Sequence, residues 1–195
     1  MKSQPIEISH YYHYFNRSNN KELIFREETN YIHFLKLVEK YLLPIADIYS
    51  YCLLPNHFHF IIRIKDAKDL PKKYQLNKSK ISQPFSNLFN AYTKSYNKKY
   101  GRKGSLFQKH PKHILITNEN YLRNLIVYVN CNPSHHNIEN FDTYIYSSYN
   151  ALLSKLSTKI NRTATIELFD TKENLAYVLK NKHINMKLLN DLDLE

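Results

Sequence analysis

The stretch ADIYSYCLLPNHFHFIIRI, residues 46–64, decides how the chain folds. Two short apolar runs, Ala46 to Leu54 and Phe58 to Ile64, flank Pro55-Asn56, a turn signal, and so predict a β-hairpin. Upstream, Tyr31, Phe34, Leu35, Leu37, Val38, Tyr41 and Leu42 recur at helical spacing between Glu27 and Leu43, and Pro44 stops the pattern. Before that helix, the β-branched and aromatic run Ile6 to Phe15 reads as a strand that ends in the polar turn of residues 16–20. Downstream, Phe85, Leu88, Phe89, Tyr92 and Tyr96 predict a helix from Pro84 to Tyr100. Ser105 to Ile116 reads as a strand that Pro111 consigns to a sheet edge or a bulge. A helix capped by Thr117 or Asn118 then runs from Glu119 to Asn132, ended by Pro133. The order β, α, β, β, α, β, α predicts an α+β fold: a ferredoxin-like, or RRM-like, antiparallel sheet with helices on one face, extended by one helix after the fourth strand. Residues 1–149 are expected to form this domain and residues 150–195 a C-terminal helical extension.

A chain of 195 residues with 43% hydrophobic residues is long and apolar enough for one packed domain, which excludes disorder as its main state. No apolar run is long enough to span a bilayer and the N-terminus lacks a signal peptide's apolar stretch, so the expectation is a cytoplasmic, nucleoid-associated protein with no membrane partner. Cys52 and Cys131 form no CxxC pair and read as reduced, buried thiols. The net charge of +11 is localised. From Lys65 to Lys112 there are thirteen Lys or Arg against two Asp, and the rest of the chain balances at zero. Such a patch suits a polyanion, and nucleic acid is the commonest inside a cell.

Three groups of residues bear on chemistry. In His57-Phe58-His59 the strand period of two places both imidazoles on one sheet face and Phe58 on the other. Two polar rings at the mouth of the buried strand Phe60-Ile61-Ile62 are an exception that a divalent metal would satisfy, although packing alone also accounts for an HxH. On the last predicted helix Tyr121, Leu125, Tyr128 and Asn132 share one face, so Tyr128 and Asn132 can present a phenol and an amide oxygen to one neighbour; an aromatic stripe is the plainer alternative. Gly101 and Gly104, the only glycines, sit in KKYGRKGSLFQ, residues 98–108, where they suit either a backbone approach to phosphate or a simple turn.

Five motifs in order carry a resemblance. Leu54-Pro55-Asn56-His57-Phe58-His59 is similar to the LPNHxH signature of the HUH single-tyrosine transposases, the insertion-sequence type. The chain more narrowly resembles the REP-associated tyrosine transposases: residues 15–20, FNRSNN, are similar to YNRGNN; residues 104–108, GSLFQ, to GxLFQ; residues 128–133, YVNCNP, to YIHLNP; and residues 146–149, YSSY, to WSSY. The match covers roughly Tyr12 to Tyr149. It implies a metal-dependent endonuclease and strand transferase that acts on single-stranded, hairpin-forming DNA through a covalent 5′-phosphotyrosine. Tyr128 would be the nucleophile, and His57, His59 and Asn132 the ligands of Mg²⁺ or Mn²⁺. The expected DNA contacts are Asn16, Arg17, Asn19, Asn20, Lys98, Lys99, Arg102, Lys103, Gln108, Lys109 and Lys112. Departures are Ser18 for glycine, His110-Pro111-Lys112 for RYK, Asn130 and Cys131 for His and Leu, and Tyr146 for Trp; Cys131 beside Asn132 would draw the metal preference toward zinc. Monomer and homodimer both stay open, as does a second class of function, a non-catalytic single-strand binding module of the same fold.

Overall fold

The structure, a computed structural model, describes residues 5–181. Strand β1 (Tyr11–Arg17) leads to helix α1 (Glu28–Tyr41), then to the hairpin β2 (Ala46–Leu54) and β3 (His57–Ile64). The short α2 (Lys72–Gln75), the long α3 (Gln83–Tyr100), β4 (Lys112–Ile116) and α4 (Glu119–His135) follow, and α5 (Tyr149–Leu153), α6 (Arg162–Glu167) and α7 (Lys172–Asn181) close the described chain. The strands form one antiparallel sheet in the order β2-β3-β1-β4, the ferredoxin-like arrangement.

Pairing register shows which residues share a face. Phe15 and Cys52 both pair with His59, and Arg17 and Leu54 both pair with His57. Phe58 points the other way, where it meets Phe34 of α1 with ring centroids 5.2 Å apart and Phe89 of α3 at 5.6 Å. Tyr14 stacks on Phe85 of α3 on that same side. The two crossover helices thus cover one face with an aromatic core, where each large ring removes 150–250 Å² from water. The added helix α4 lies on the opposite face: Asn130 donates to the Ser50 hydroxyl at 2.9 Å and Tyr128 stands edge-on to His59.

Several boundaries differ from those expected. β1 begins at Tyr11 rather than Ile6 because Ser9, at a left-handed φ of 64°, turns the chain and gives its N–H to the Ile64 carbonyl. The last strand holds only Lys112–Ile116; Pro111 has no N–H for the ladder, and upstream Phe107 makes a single bridge to Ser18. Pro133 does not end α4, which continues to His135. Proline in the last turn removes one backbone hydrogen bond only, and the His136 N–H still closes the helix on the Asn132 carbonyl at 3.0 Å.

The segment after α4 covers the outer edge of β2: the Leu53 N–H bonds to the Tyr146 carbonyl, and the Ser148 N–H to the Tyr51 carbonyl, both at 2.9 Å. Sealing a strand edge in this way removes a template for unwanted pairing. Beyond it, Thr165 donates to the Tyr49 carbonyl at 3.1 Å, while Leu152, Leu175 and Leu179 are fully buried. Of the expected C-terminal helical extension, residues 182–195 lie outside the described residues. Among the described residues no helix is long and apolar enough to cross a membrane.

Candidate active site

β3 is an inner strand, and its first residues carry His57 and His59 onto the face that α4 covers, with ring centroids 5.2 Å apart. α4 approaches with an i, i+4, i+8 stripe of Tyr128, Asn132 and His136. The Tyr128 ring lies 6.0 Å from His59 and 6.4 Å from His13, edge-on to both, and is 8% exposed. One end of the stripe further on, the His136 ring is 4.7 Å from His57. Asn132 sits between these two contacts on the same helical face, fully buried, and neither its Oδ1 nor its Nδ2 has a hydrogen-bond partner. A buried amide with both ends unpaired is costly, of the order of 1–3 kcal/mol per group, unless a ligand completes it.

The His57 Nδ1 lies 2.7 Å from the Asn56 Oδ1 and the His59 Nδ1 lies 2.9 Å from the His13 Nε2, so Nε2 is the nitrogen through which either ring would coordinate a ligand. Burial lowers the pKa of His57 to about 3, helped by His136 and Arg17. It lowers that of His13 to about 3 as well, and His59, enclosed among His13, His57, His136 and Arg17, goes well below the usual imidazole value. The rings are neutral at pH 7, the state a metal ligand requires. Two imidazoles and one amide oxygen make a mixed nitrogen–oxygen donor set that a divalent cation such as Mn²⁺ would accept, whereas Mg²⁺, which prefers oxygen, would need water or phosphate oxygens to complete its shell. Among the described residues no three His, Cys, Asp or Glu side chains converge to hold a metal, so a metal centre here would need the Asn132 amide as its third protein donor. Cys131 takes no part: its thiol points to the Leu179 carbonyl on α7 at 3.8 Å, because neighbouring helix positions face about 100° apart. The expected pull toward zinc therefore has no sulfur behind it.

The imidazoles open into a cavity of about 670 Å³. Of the expected DNA contacts, Asn16, Arg17, Asn20 and Gln108 line it. Arg17 is exposed on the imidazole face, and Lys112 reaches over the Phe15 ring at 5.7 Å on that face. The others lie elsewhere or are engaged internally. Asn19 donates to the Ser105 and Phe107 carbonyls, and the Asn16 amide also donates to the Gln108 carbonyl at 3.2 Å. Arg102 forks onto both Glu22 oxygens, at 2.7 and 2.8 Å, and donates to the Gly104 and Ser105 carbonyls, tying the loop after β1 to the loop before β4. Lys99 is paired with Glu27, while Lys98, Lys103 and Lys109 are exposed outside the cavity. Gly101 ends α3 at φ 63° and Gly104 turns the loop at φ 86°, conformations that favour glycine, and neither backbone is closely approached.

Sequence reasoning did not single out His13 or His136. β1 carries His13 beside β3, but the register that pairs it with Ile61 and so sets it diagonally from His59 on the same face is a tertiary fact. His136 lies beyond Pro133, where the helix was expected to have stopped. Exposed Leu23 and Ile138, and Lys21, also line the cavity and carry no local motif.

Fold and site together define a class: an α+β domain whose four-stranded antiparallel sheet carries an HxH pair on an inner strand and, over the same face, a tyrosine on an added helix. Among solved structures the chain is similar to a REP-associated tyrosine transposase bound to a REP hairpin, with a TM-score of 0.58, 15% sequence identity, and coverage of 80% of this chain and 85% of that one. The likeness establishes a shared fold. No family model and no curated protein matches the chain.

Proposed function

We propose that this protein is a metal-dependent endonuclease and strand transferase for hairpin-forming single-stranded DNA that works through a covalent 5′-phosphotyrosine. The observation that carries the reading is the approach of the Tyr128 ring to within 6.0 Å of His59, over the face that holds both imidazoles and the unpaired Asn132 amide. The solved structure of shared fold is itself bound to a REP hairpin, and the basic excess between Lys65 and Lys112 suits a nucleic-acid ligand.

His57 and His59 through Nε2, and Asn132 through Oδ1, would hold Mg²⁺ or Mn²⁺. When bound, the ion polarises the scissile phosphate as a Lewis acid. Arg17 and Lys112 draw the DNA backbone onto the imidazole face, while Asn20 and Gln108 present amides to the strand in the cavity. Tyr128 supplies the nucleophile. Its Oη–P bond forms as the P–O3′ bond breaks, and the proton lost by the phenol is matched by one gained on the departing 3′-oxygen. The new phosphodiester keeps the bond energy, so a later 3′-hydroxyl can reverse the step and join strands without ATP.

A pool of labelled hairpin oligonucleotides with Mn²⁺ tests this on denaturing gels. Wild-type protein is expected to give a covalent protein–DNA adduct, and Tyr128→Phe to keep hairpin binding with no adduct. An adduct that persists in Tyr128→Phe refutes the nucleophile. Cleavage to a free 5′-phosphate independent of Tyr128 would mean hydrolysis by water, and binding without cleavage by the wild type would mean a non-catalytic binding module.

A further inference from the structure

We propose that His13 is a positioning residue whose Nε2 accepts the His59 Nδ1 proton when the cation is bound, and so holds His59 in the tautomer that can ligate a metal. The inference rests on His57, His59 and Asn132 as the ligands of the cation.

The two imidazoles of the HxH pair are held differently. The His57 Nδ1 faces the Asn56 side-chain amide oxygen Oδ1 at 2.7 Å, an acceptor only, so the proton sits on Nδ1 and Nε2 keeps its lone pair. The His59 Nδ1 faces another imidazole, the His13 Nε2 at 2.9 Å, and two neutral arrangements satisfy that contact. In one, His59 donates from Nδ1–H to His13 and its Nε2 is a lone pair aimed at the site. In the other, His13 donates, the His59 proton sits on Nε2, and that nitrogen cannot coordinate. Ligation therefore requires His13 to act as the acceptor. The ring is built to stay in place: fully buried, stacked on Phe15 at 4.7 Å and on His59 at 5.1 Å, with the Tyr128 ring edge-on at 6.4 Å. Its other nitrogen, Nδ1, is buried with no partner, so no further group dictates the tautomer of the pair and the cation can select it.

The test uses the full chain and reads metal rather than activity. Mn²⁺ binding is measured by titration for wild type, His13→Phe and His13→Gln. Phenylalanine keeps the stacked ring and loses the acceptor; the glutamine oxygen falls where Nε2 was and can accept. His13→Phe is expected to bind Mn²⁺ about 10- to 100-fold more weakly, the range for loss of such a supporting partner, and His13→Gln to stay within about threefold of wild type. Long-range ¹H–¹⁵N spectra of Mg²⁺-saturated wild type should show the His59 proton on Nδ1, a measurement that stands even if His13→Phe does not fold. Equal Mn²⁺ affinity in a folded His13→Phe, or a loaded His59 with its proton on Nε2, overturns the proposal alone. A wild type that binds no Mn²⁺ overturns the metal centre itself, and the role of His13 with it.

Discussion

Acidifying the metal-free protein from pH 7 to pH 5 should unfold it in proportion to the imidazoles it buries. His13 has no solvent exposure, and burial pushes its pKa down to about 3, against about 6.5 for an unfolded chain. Below pH 6.5 the unfolded state takes up a proton that the folded state refuses, so stability falls as the pH falls and the loss continues down to the folded value. Between pH 7 and pH 5 these two values make the His13 loss about 2 kcal/mol. His57, also pushed down to about 3, and His59, lowered further by its neighbours, act in the same direction. The carboxylates fall in a separate window. Glu22 and Glu27 are lowered by hydrogen bonds from Arg102 and Lys99, so their contribution is present above the ordinary carboxylate pKa and fades only as the pH drops below about 4.5. Urea unfolding in EDTA at intervals from pH 7 to pH 5, on wild type and His13→Phe, isolates the effect. Wild type should lose about 2 kcal/mol more than the variant across that range. Stability curves that run parallel would refute the reading of His13 as a buried neutral ring.

Three further outcomes follow from the packing and the charge. Phe58→Ala, which empties a fully buried site among Phe34, Phe89 and Phe107, should cost about 3–5 kcal/mol in urea unfolding, and a loss below 1 kcal/mol would contradict the aromatic core. Arg102→Ala should lower stability by about 1–2 kcal/mol by untying Glu22 from the 104–105 carbonyls, and Arg102→Lys should restore little of it because a single ammonium cannot reproduce the fork; full recovery in Arg102→Lys would show the charge alone to be enough. Hairpin binding should weaken with salt at a log–log slope of about −0.7 per phosphate contacted, and Arg17→Ala or Lys112→Ala should each flatten it by about one contact, whereas a slope near zero in wild type would take the basic patch out of the binding account.

Local signals were legible wherever one residue type dictates a backbone state. Pro55-Asn56 marked the hairpin, and β2 runs from Ala46 to Leu54 as expected, with β3 one residue longer than its apolar run. Tyr31, Phe34 and Val38 bury the predicted stripe of α1, and alternation alone placed His57 and His59 on one face with Phe58 opposed. Glycine at φ 63° ended α3 where the motif suggested a break. Where a signal depended on surroundings, local reading fell short. Pro133 is a stop in isolation, but the packing of α4 on the sheet holds its last turn through one lost hydrogen bond and delivers His136 to His57. Four of the expected DNA contacts, Asn16, Asn19, Lys99 and Arg102, have partners within the fold, since a polar side chain does not announce whether its partner lies inside or outside the molecule.

The amino-acid order by itself determined the alternation of strands and helices, the pairing of two imidazoles on one strand face, and the one-turn spacing of Tyr128 and Asn132, because each depends on a backbone period that is local. Only the tertiary structure decided that α4 covers the imidazole face rather than the aromatic one, that His13 meets His59 at 2.9 Å, and that the Asn132 amide is left buried and unpaired. Those facts join residues between 46 and 80 positions apart in the chain, or express the burial of a whole face, and no local period carries that information.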